Sequence, residues 1–140
     1  MSVDLLQVFP EELPKIWPLV SGWIEECCER DPTELSPQFI FEQINKGHMQ
    51  LWAAWDNDFG KMLAAMVTSV CKGVDGTLYS KIHIVSGESV HRWKHLILRL
   101  KDLAKNIGCK ELITVARPGF EKILKNTGAK VRHVELVWEF

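Results

Sequence analysis

The side chains of this sequence that could move a proton near neutral pH are few and lie far apart. The chain has 140 residues, with five histidines and a single tyrosine. His83 could accept a proton because an imidazole titrates near neutrality, and a hydrogen-bonded structural histidine is the alternative. Tyr79 could donate a proton, and a half-buried strand aromatic is the alternative. Both residues are candidate catalytic groups.

The four cysteines do not predict a metal site or a disulfide framework. No two of them form a C-x-x-C pair, and the histidines are scattered along the chain. The adjacent Cys27 and Cys28 could form a redox pair, or one of them could face the core as a small apolar residue. No metal is expected.

The segment Ser86-Gly87-Glu88-Ser89 is the one short glycine-containing loop that precedes a long helical pattern, and His91 follows it closely. Backbone N–H groups in such a loop could form a small nest for an anion. Ser89 could instead be a plain helix N-cap. These five residues are the candidate cofactor-binding positions.

Composition predicts one globular domain over residues 1–140, since 46% of the residues are hydrophobic and 25% are charged. The longest uncharged stretch, residues 62–71, is about half of the roughly 20 apolar residues that a membrane span needs. The first residues also lack the basic and apolar regions of a secretory signal. We therefore expect a cytoplasmic protein with no membrane partner.

Charge is divided unevenly between the two halves of the chain. Residues 1–70 carry 4 Lys and Arg against 11 Asp and Glu, whereas residues 71–140 carry 13 against 7. This polarity could orient a charged partner or could be neutralised internally. An isoelectric point near 6.5 argues against a nucleic-acid partner, because proteins that bind nucleic acid are usually strongly basic. Candidate partner contacts are two tryptophans and three cations, namely Trp55, Trp138, Arg99, Lys101 and Lys105.

Local patterns in the first part of the chain predict two helices followed by three antiparallel strands. Helical spacing predicts a first helix over residues 11–30, and Ser36 and Gly47 bound a second as N-cap and C-terminal stop. Alternating patterns predict strands over residues 50–55, 61–72 and 78–85. The turn residues 57–60 and Asp75-Gly76 predict the two hairpins that connect them.

The second part of the chain returns to helical spacing. A single long helix ending at Gly108 is predicted by a stripe of apolar residues, Trp93, Leu96, Ile97, Leu100, Leu103, Ala104 and Ile107. A short strand over 111–116, a helical segment from Arg117-Pro118-Gly119 to Gly128, and a terminal strand over 131–140 follow. The order α-α-β-β-β-α-β-α-β predicts an α/β (α+β) three-layer fold with helices on both faces of a mixed sheet.

This order resembles the GNAT superfamily of acyl-CoA-dependent N-acyltransferases over the entire chain. The most specific part is the second half, where the predicted long helix ends with Ile107-Gly108-Cys109 and the segment 120–129 follows the next strand at the usual distance. The resemblance implies the GNAT fold. In an active member it also implies acetyl-CoA bound at the loop before the long helix.

Several positions depart from the motifs of that family. Its coenzyme motif corresponds to Glu88, His91 and Trp93, and its tyrosine general acid corresponds to Leu124. The central strand, residues 61–72, has no carboxylate to serve as a base, which leaves His83 as the candidate. The resemblance therefore implies a degenerate acetyl-CoA site, and we expect no bound cofactor unless the protein is active.

A narrower resemblance is to small GNAT-like proteins encoded among virion genes of tailed phages and prophages. It rests on the segments 8–20, 47–52, 86–93 and 117–121. It implies a virion-associated structural or interaction protein that could form an oligomer and whose partners are other head, portal or tail proteins. An active N-acetyltransferase acting on a small-molecule or protein amine is the alternative function.

Overall fold

A five-stranded mixed sheet with helices on both faces forms the fold in the computed structural model, which describes residues 2–30, 35–117 and 119–140. The strand order is β1-β2-β3-β4-β5, antiparallel except for the β4–β5 pair. The elements are β1 Val3–Val8, α1 Leu13–Arg30, α2 Pro37–Asn45, β2 Gln50–Asp56, β3 Lys61–Lys72, β4 Leu78–Gly87, α3 Val90–Trp93, α4 Leu96–Asn106, β5 Leu112–Thr114 and α5 Phe120–Ile123. The predicted α/β fold class is confirmed.

The central meander of β2, β3 and β4 follows from local turn chemistry. Gly60 and Gly76 adopt φ values of +63° and +84°, which L side chains rarely adopt, so glycine stabilises both hairpin turns. The predicted boundaries of β3 are confirmed, and β2 and β4 extend one and two residues beyond the prediction. The other elements pack on or pair with this meander.

The sheet separates two hydrophobic clusters. On one face, α1 and α2 contribute residues such as Val20, Ile24 and Ile40, which pack with Ala65 and Val67 of β3. On the other face, residues of α3 and α4 pack with the opposite side of the sheet, namely Trp93, Leu96, Ile97 and Leu100 with Ala64, Met66 and Ile82. The predicted three layers are confirmed.

The helices on the first face largely have the predicted ends. Ser36 caps α2, because its hydroxyl oxygen accepts a hydrogen bond from the Phe39 N–H at 3.1 Å. Helix α1 begins two residues later than predicted and continues through Pro18. Helical spacing also predicts Phe39, Ile40 and Ile44 as the buried stripe of α2. Ile40 and Ile44 are buried, but Phe39 is exposed, so that part of the prediction is wrong.

The sequence prediction missed β1. Residues 3–8 pair antiparallel with β2, with Val3 opposite Asp56 and Val8 opposite Leu51. The segment V-D-L-L-Q-V lies at the edge of the sheet, and only its side facing β2 is paired. The strand depends on pairing with a segment more than 40 residues away, which local patterns do not show.

The predicted long helix is instead two helices, since α3 ends at Trp93 and α4 begins at Leu96. In the predicted stripe Leu103 is half-buried and Ile107 is exposed, and the other residues from Trp93 through Ala104 are buried. None of the helices described is long and apolar enough to span a membrane.

The predicted terminal strand is wrong for the structure as described. Residues 131–140 form no strand and every one of them is exposed. Alternation favours a strand, but a strand also needs a partner for its backbone groups. The helical segment predicted before it is only a short helix, α5, and its predicted Pro118 lies outside the described residues.

Candidate functional site

The two parallel strands of the sheet separate at His83. β4 pairs with β5 over only three residues, from Ser80 to Ile82. On its other side β4 has a β-bulge, because the consecutive residues 67 and 68 of β3 pair with Ile84 and Ile82. His83 is the extra residue. A bulge bends and twists its strand, so residues 83–87 of β4 diverge from β5 and pair with no other described strand on that edge.

The imidazole of His83 is held from one side. Its Nε2 lies 2.7 Å from Ser69 Oγ, and Ser69 Oγ lies 3.4 Å from Cys71 Sγ. Among the described residues, no hydrogen bond involves His83 Nδ1. Every buried side-chain nitrogen or oxygen of these residues has a hydrogen-bond partner. Because Nδ1 has none, it is not buried and reaches solvent. If Nε2 donates to Ser69, Nδ1 keeps a lone pair that can accept a proton.

Burial lowers the pKa of His83 below its usual value of 6.5, and the nearby charge of Lys81 lowers it further. Both effects disfavour the charged imidazolium. His83 is therefore neutral at pH 7, which is the form that a general base requires.

Tyr79, the other predicted catalytic candidate, lies on the same face of the sheet. It stands opposite Cys71 in the β3–β4 pairing, and Cys71 contacts Ser69. Cys71 raises the pKa of Tyr79 above its usual value, by its charge and then by a hydrogen bond. Tyr79 therefore keeps its proton at neutral pH. The structure connects Tyr79 to His83 through Cys71 and Ser69, two residues that the sequence prediction did not select.

The loop predicted to bind a cofactor is occupied by internal contacts. A Cβ atom on Gly87 would lie 2.2 Å from the carbonyl oxygen of Leu63, so glycine is needed there for β4 to approach β3. The N–H of Glu88 donates to the same carbonyl oxygen at 2.8 Å. Ser86 is half-buried in β4. Gly87 thus has a packing role in the sheet, which the anion-nest prediction did not include.

Glu88 and Trp93 close the end of this loop. The indole Nε1 of Trp93 donates to the Glu88 carbonyl oxygen at 2.7 Å, and the side chain is 2% exposed. The Glu88 carboxylate lies 3.2 Å from Lys61 Nζ. Ser89 occupies the predicted N-cap position, at the start of α3, but it has left-handed backbone angles and makes no side-chain capping hydrogen bond. His91 is exposed on the following turn.

Leu124, at the position of the tyrosine in the GNAT resemblance, is a core residue. It is 9% exposed and packs in the same cluster as Leu112 and Phe120. It therefore links α5 to the sheet and has no group that could donate a proton.

A buried ion pair that the sequence analysis did not identify joins β2 to α3. Arg92 donates to both carboxylate oxygens of Asp56, at 2.6 and 3.2 Å, and lies 3.5 Å from Asp58. Asp56 is fully buried and also accepts the N–H of Asp58. The hydrogen bond from Arg92 holds the pKa of Asp56 below its usual range. The pair fixes the start of the α3 segment against the β2–β3 turn, and it places opposite charges from the two halves of the chain in contact.

The predicted partner contacts do not form one patch. Trp55 is half-buried in β2, whereas Trp138 is 77% exposed, and their role as partner contacts stays a prediction. Arg99, Lys101 and Lys105 are exposed on α4. Cys28 is buried, as predicted for one of the adjacent pair, and burial raises its pKa. Among the described residues no three potential metal ligands come together.

The sequence matches no protein-family model and no curated protein, but the structure is similar to several acetyltransferases. An aminoglycoside acetyltransferase from an uncultured soil metagenomic sample, in complex with sisomicin, has a TM-score of 0.69 at 14% identity, covering 99% of this chain and 96% of that one. The ribosomal-protein-alanine N-acetyltransferase of Brucella melitensis has a TM-score of 0.68 at 15% sequence identity, and the match covers 99% of this chain and 100% of that one. The glucosamine-6-phosphate N-acetyltransferase of Arabidopsis thaliana has a TM-score of 0.67 at 17% sequence identity, and the match covers 100% of this chain and 99% of that one. The chain therefore has the GNAT fold.

Proposed function

We propose that the protein is an N-acyltransferase that takes its acyl group from a pantetheine thioester and transfers it to an amine. The observation that carries this proposal is that three features occur together at His83. The β-bulge of β4 lies there, β4 separates from β5 there, and the imidazole is neutral at pH 7. The fold likeness to three acetyltransferases supports the same reaction class.

The exposed backbone of β4 suits the pantetheine arm. Residues 83–87 pair with no described strand on the side of β5, so their N–H and C=O groups can bind an extended chain. Pantetheine contains two amides in an extended chain, and an unpaired strand edge binds such groups by main-chain hydrogen bonds. This arrangement directs the thioester toward the bulge.

His83 then has a defined role. The thioester supplies an electrophilic carbonyl, and the amine must lose a proton as it attacks. Nδ1 of His83 accepts that proton while Ser69 holds Nε2. The departing thiolate can then take that proton from the protonated His83, because Tyr79 lies four residues earlier along β4, beyond the stretch that pairs with β5.

The residues fit the pantetheine arm of coenzyme A but do not fit its diphosphate. The Glu88 carboxylate would repel a diphosphate, and the indole of Trp93 already binds the Glu88 carbonyl where the loop would have to open. The separation of α3 from α4 also leaves only a four-residue helix behind the loop, with little dipole to attract an anion. The proposed donor is therefore recognised mainly through its pantetheine arm.

A second candidate function is a binding protein that retains the fold without catalysis. The closed loop at Glu88 and Trp93 favours it, because that loop excludes the usual diphosphate contacts. The virion role suggested by the narrower resemblance belongs to this candidate and stays a prediction. None of the three acetyltransferases named above supports it.

Isothermal titration with two thioesters tests the proposal. We expect S-acetylpantetheine and acetyl-CoA to bind with dissociation constants within about tenfold of each other, at or below roughly 1 mM. The physical reason is that the cations beside the loop are already paired, Lys61 with Glu88 and Arg92 with Asp56. Glu88→Gln, which removes the repelling charge, should tighten acetyl-CoA binding and leave S-acetylpantetheine unchanged.

Two results would contradict this account. Acetyl-CoA binding more than about a hundredfold tighter than S-acetylpantetheine would show that the loop does bind the diphosphate. Binding of neither thioester would support the non-catalytic candidate instead.

A further inference from the structure

Lys81 differs from the other lysines of the chain in its burial. Every other lysine lies in the described part of the chain and is exposed, whereas Lys81 is half-buried. It stands in the middle of the sheet, with Ser69 of β3 on one side and Ile113 of β5 on the other. A lysine is rarely buried unless an opposite charge compensates it. Its position therefore calls for an anion.

No described residue supplies that anion. The cations in the ion pairs of the described chain are Lys61, Arg92 and Arg132. Every buried side-chain nitrogen or oxygen of the described residues has a hydrogen-bond partner. Lys81 Nζ has none among these residues, so it is not buried and reaches solvent. The sheet thus holds the stem of Lys81 and leaves its charged end open to a ligand.

Lys81 and His83 share one face of the sheet. Lys81 stands directly opposite Ser69, whose hydroxyl oxygen lies 2.7 Å from His83 Nε2. Residues directly opposite each other in an antiparallel pair point to the same face. The charge of Lys81 also lowers the pKa of His83, as expected for a cation close to the imidazole. The proposed base therefore has an open ammonium group beside it.

The sheet limits the direction from which an acceptor can reach His83. β4 and β5 are hydrogen-bonded over residues 80–82, so no ligand enters between the strands there. Residues 83–87, where the strands separate, are the part proposed for the pantetheine arm. The acceptor must therefore lie over the face that carries Lys81 and His83.

We propose that the acceptor is an amino acid, whose carboxylate binds the Lys81 ammonium while its amine lies at His83 Nδ1. This proposal rests on the acyl transfer proposed above. Cα atoms two residues apart on a strand are separated by about 6 to 7 Å, a span that one small molecule can bridge. A simple alkylammonium ion would be repelled by Lys81, whereas a carboxylate is attracted.

Charge balance favours a carboxylate over a phosphate. One ammonium group balances one carboxylate, whereas a phosphate monoester carries a charge of about −1.5 to −2 at pH 7 and would leave an excess. In the reaction the amine nitrogen forms the new amide bond and the carbon–sulfur bond of the thioester breaks. The amine proton passes to His83 Nδ1 and then to the thiolate, so Lys81 takes no part in proton transfer and acts on specificity.

The test compares acyl transfer from S-acetylpantetheine to free alanine and to alaninamide, which lacks the carboxylate. Lys81→Met keeps the length of the stem and removes the charge. We expect the ratio of kcat/KM for alanine to that for alaninamide to fall by at least about tenfold in this variant, the effect of losing one charge-assisted hydrogen bond. The change in this ratio is independent of the different basicities of the two amines. Lys72→Met, which removes an exposed lysine of β3, should keep the parent ratio.

Two kinetic results would overturn the proposal and leave the proposed function standing. One is acyl transfer by Lys81→Met with the ratio of the parent, since the carboxylate would then not bind Lys81. The other is a parent that prefers 2-aminoethyl phosphate to alanine, since the site would then select a phosphate.

A binding measurement separates this proposal from a failure of the proposed function. Ring-proton chemical shifts of His83 are recorded while alanine is added without thioester. We expect saturable shifts in the parent and at least about tenfold weaker binding in Lys81→Met. Such binding without acyl transfer to either amine would reject the proposed function and retain the carboxylate site. Absence of both binding and transfer would reject both.

Discussion

Trp93→Ala is expected to lower the free energy of unfolding by about 3 to 5 kcal/mol, the cost of removing a large buried aromatic side chain. Trp93 is 2% exposed and packs in the cluster that joins α3 and α4 to the sheet. The substitution also removes the hydrogen bond from the indole to the Glu88 carbonyl. Urea unfolding of the parent and the variant measures the difference.

Two control variants separate the contributions at Trp93. Trp93→Phe keeps most of the apolar area but loses the indole donor, so it should cost less than Trp93→Ala. Phe59→Ala removes an aromatic side chain that is 73% exposed, and it should change stability by no more than about 0.5 kcal/mol. Parent-like stability of Trp93→Ala would show that the helix does not bury this side chain.

His83→Gln is expected to reduce kcat/KM for acyl transfer by about a hundredfold or more, the usual contribution of a positioned general base. Glutamine can retain the hydrogen bond to Ser69 but cannot accept the proton. His48→Gln is the matched control, because His48 is exposed after α2 and contacts only Gln43 among the described residues. It should keep the parent rate within about twofold.

The pH dependence of the parent provides an independent check on His83. Since burial lowers its pKa below 6.5, the base remains active at pH 6.5 and loses activity only as the pH falls further. The residual rate of His83→Gln should not show this loss of activity at low pH, which is the acid limb of the parent's pH–rate profile. A parent-like rate for His83→Gln between pH 6 and 8, or an acid limb centred above 6.5, would rule out His83 as the base.

The parts of the fold that the sequence predicts are those fixed by local chemistry. The α2 cap at Ser36 and the glycine turns at Gly60 and Gly76 depend on residues within a few positions of each other. β1 was missed because its pairing with β2 is long-range. The break between α3 and α4 was missed because the apolar period continues across it, so spacing alone predicts one helix.

The candidate site was predicted only in part, for a similar reason. His83 and Tyr79 were selected by residue type, whereas Ser69 and Cys71 connect them through cross-strand pairing that a single strand does not reveal. The sequence departure at Glu88 predicts an unusual coenzyme loop, and this stays a prediction. The packing role of Gly87 against β3 and the ion pair of Asp56 with Arg92 require the tertiary structure, because each depends on contacts between separate elements.

The most direct measurement of the central claim is a map of where the acyl donor binds. Backbone amide chemical shifts of the isotopically labelled protein, recorded while S-acetylpantetheine is added, report each residue separately. We predict saturable shifts at residues 83–87 of β4 and at Thr114, which lies where β5 separates from it. Unchanged amides at these residues, or shifts confined to the depression lined by Ser2, His91 and His95, would contradict an acyl-transfer site at His83.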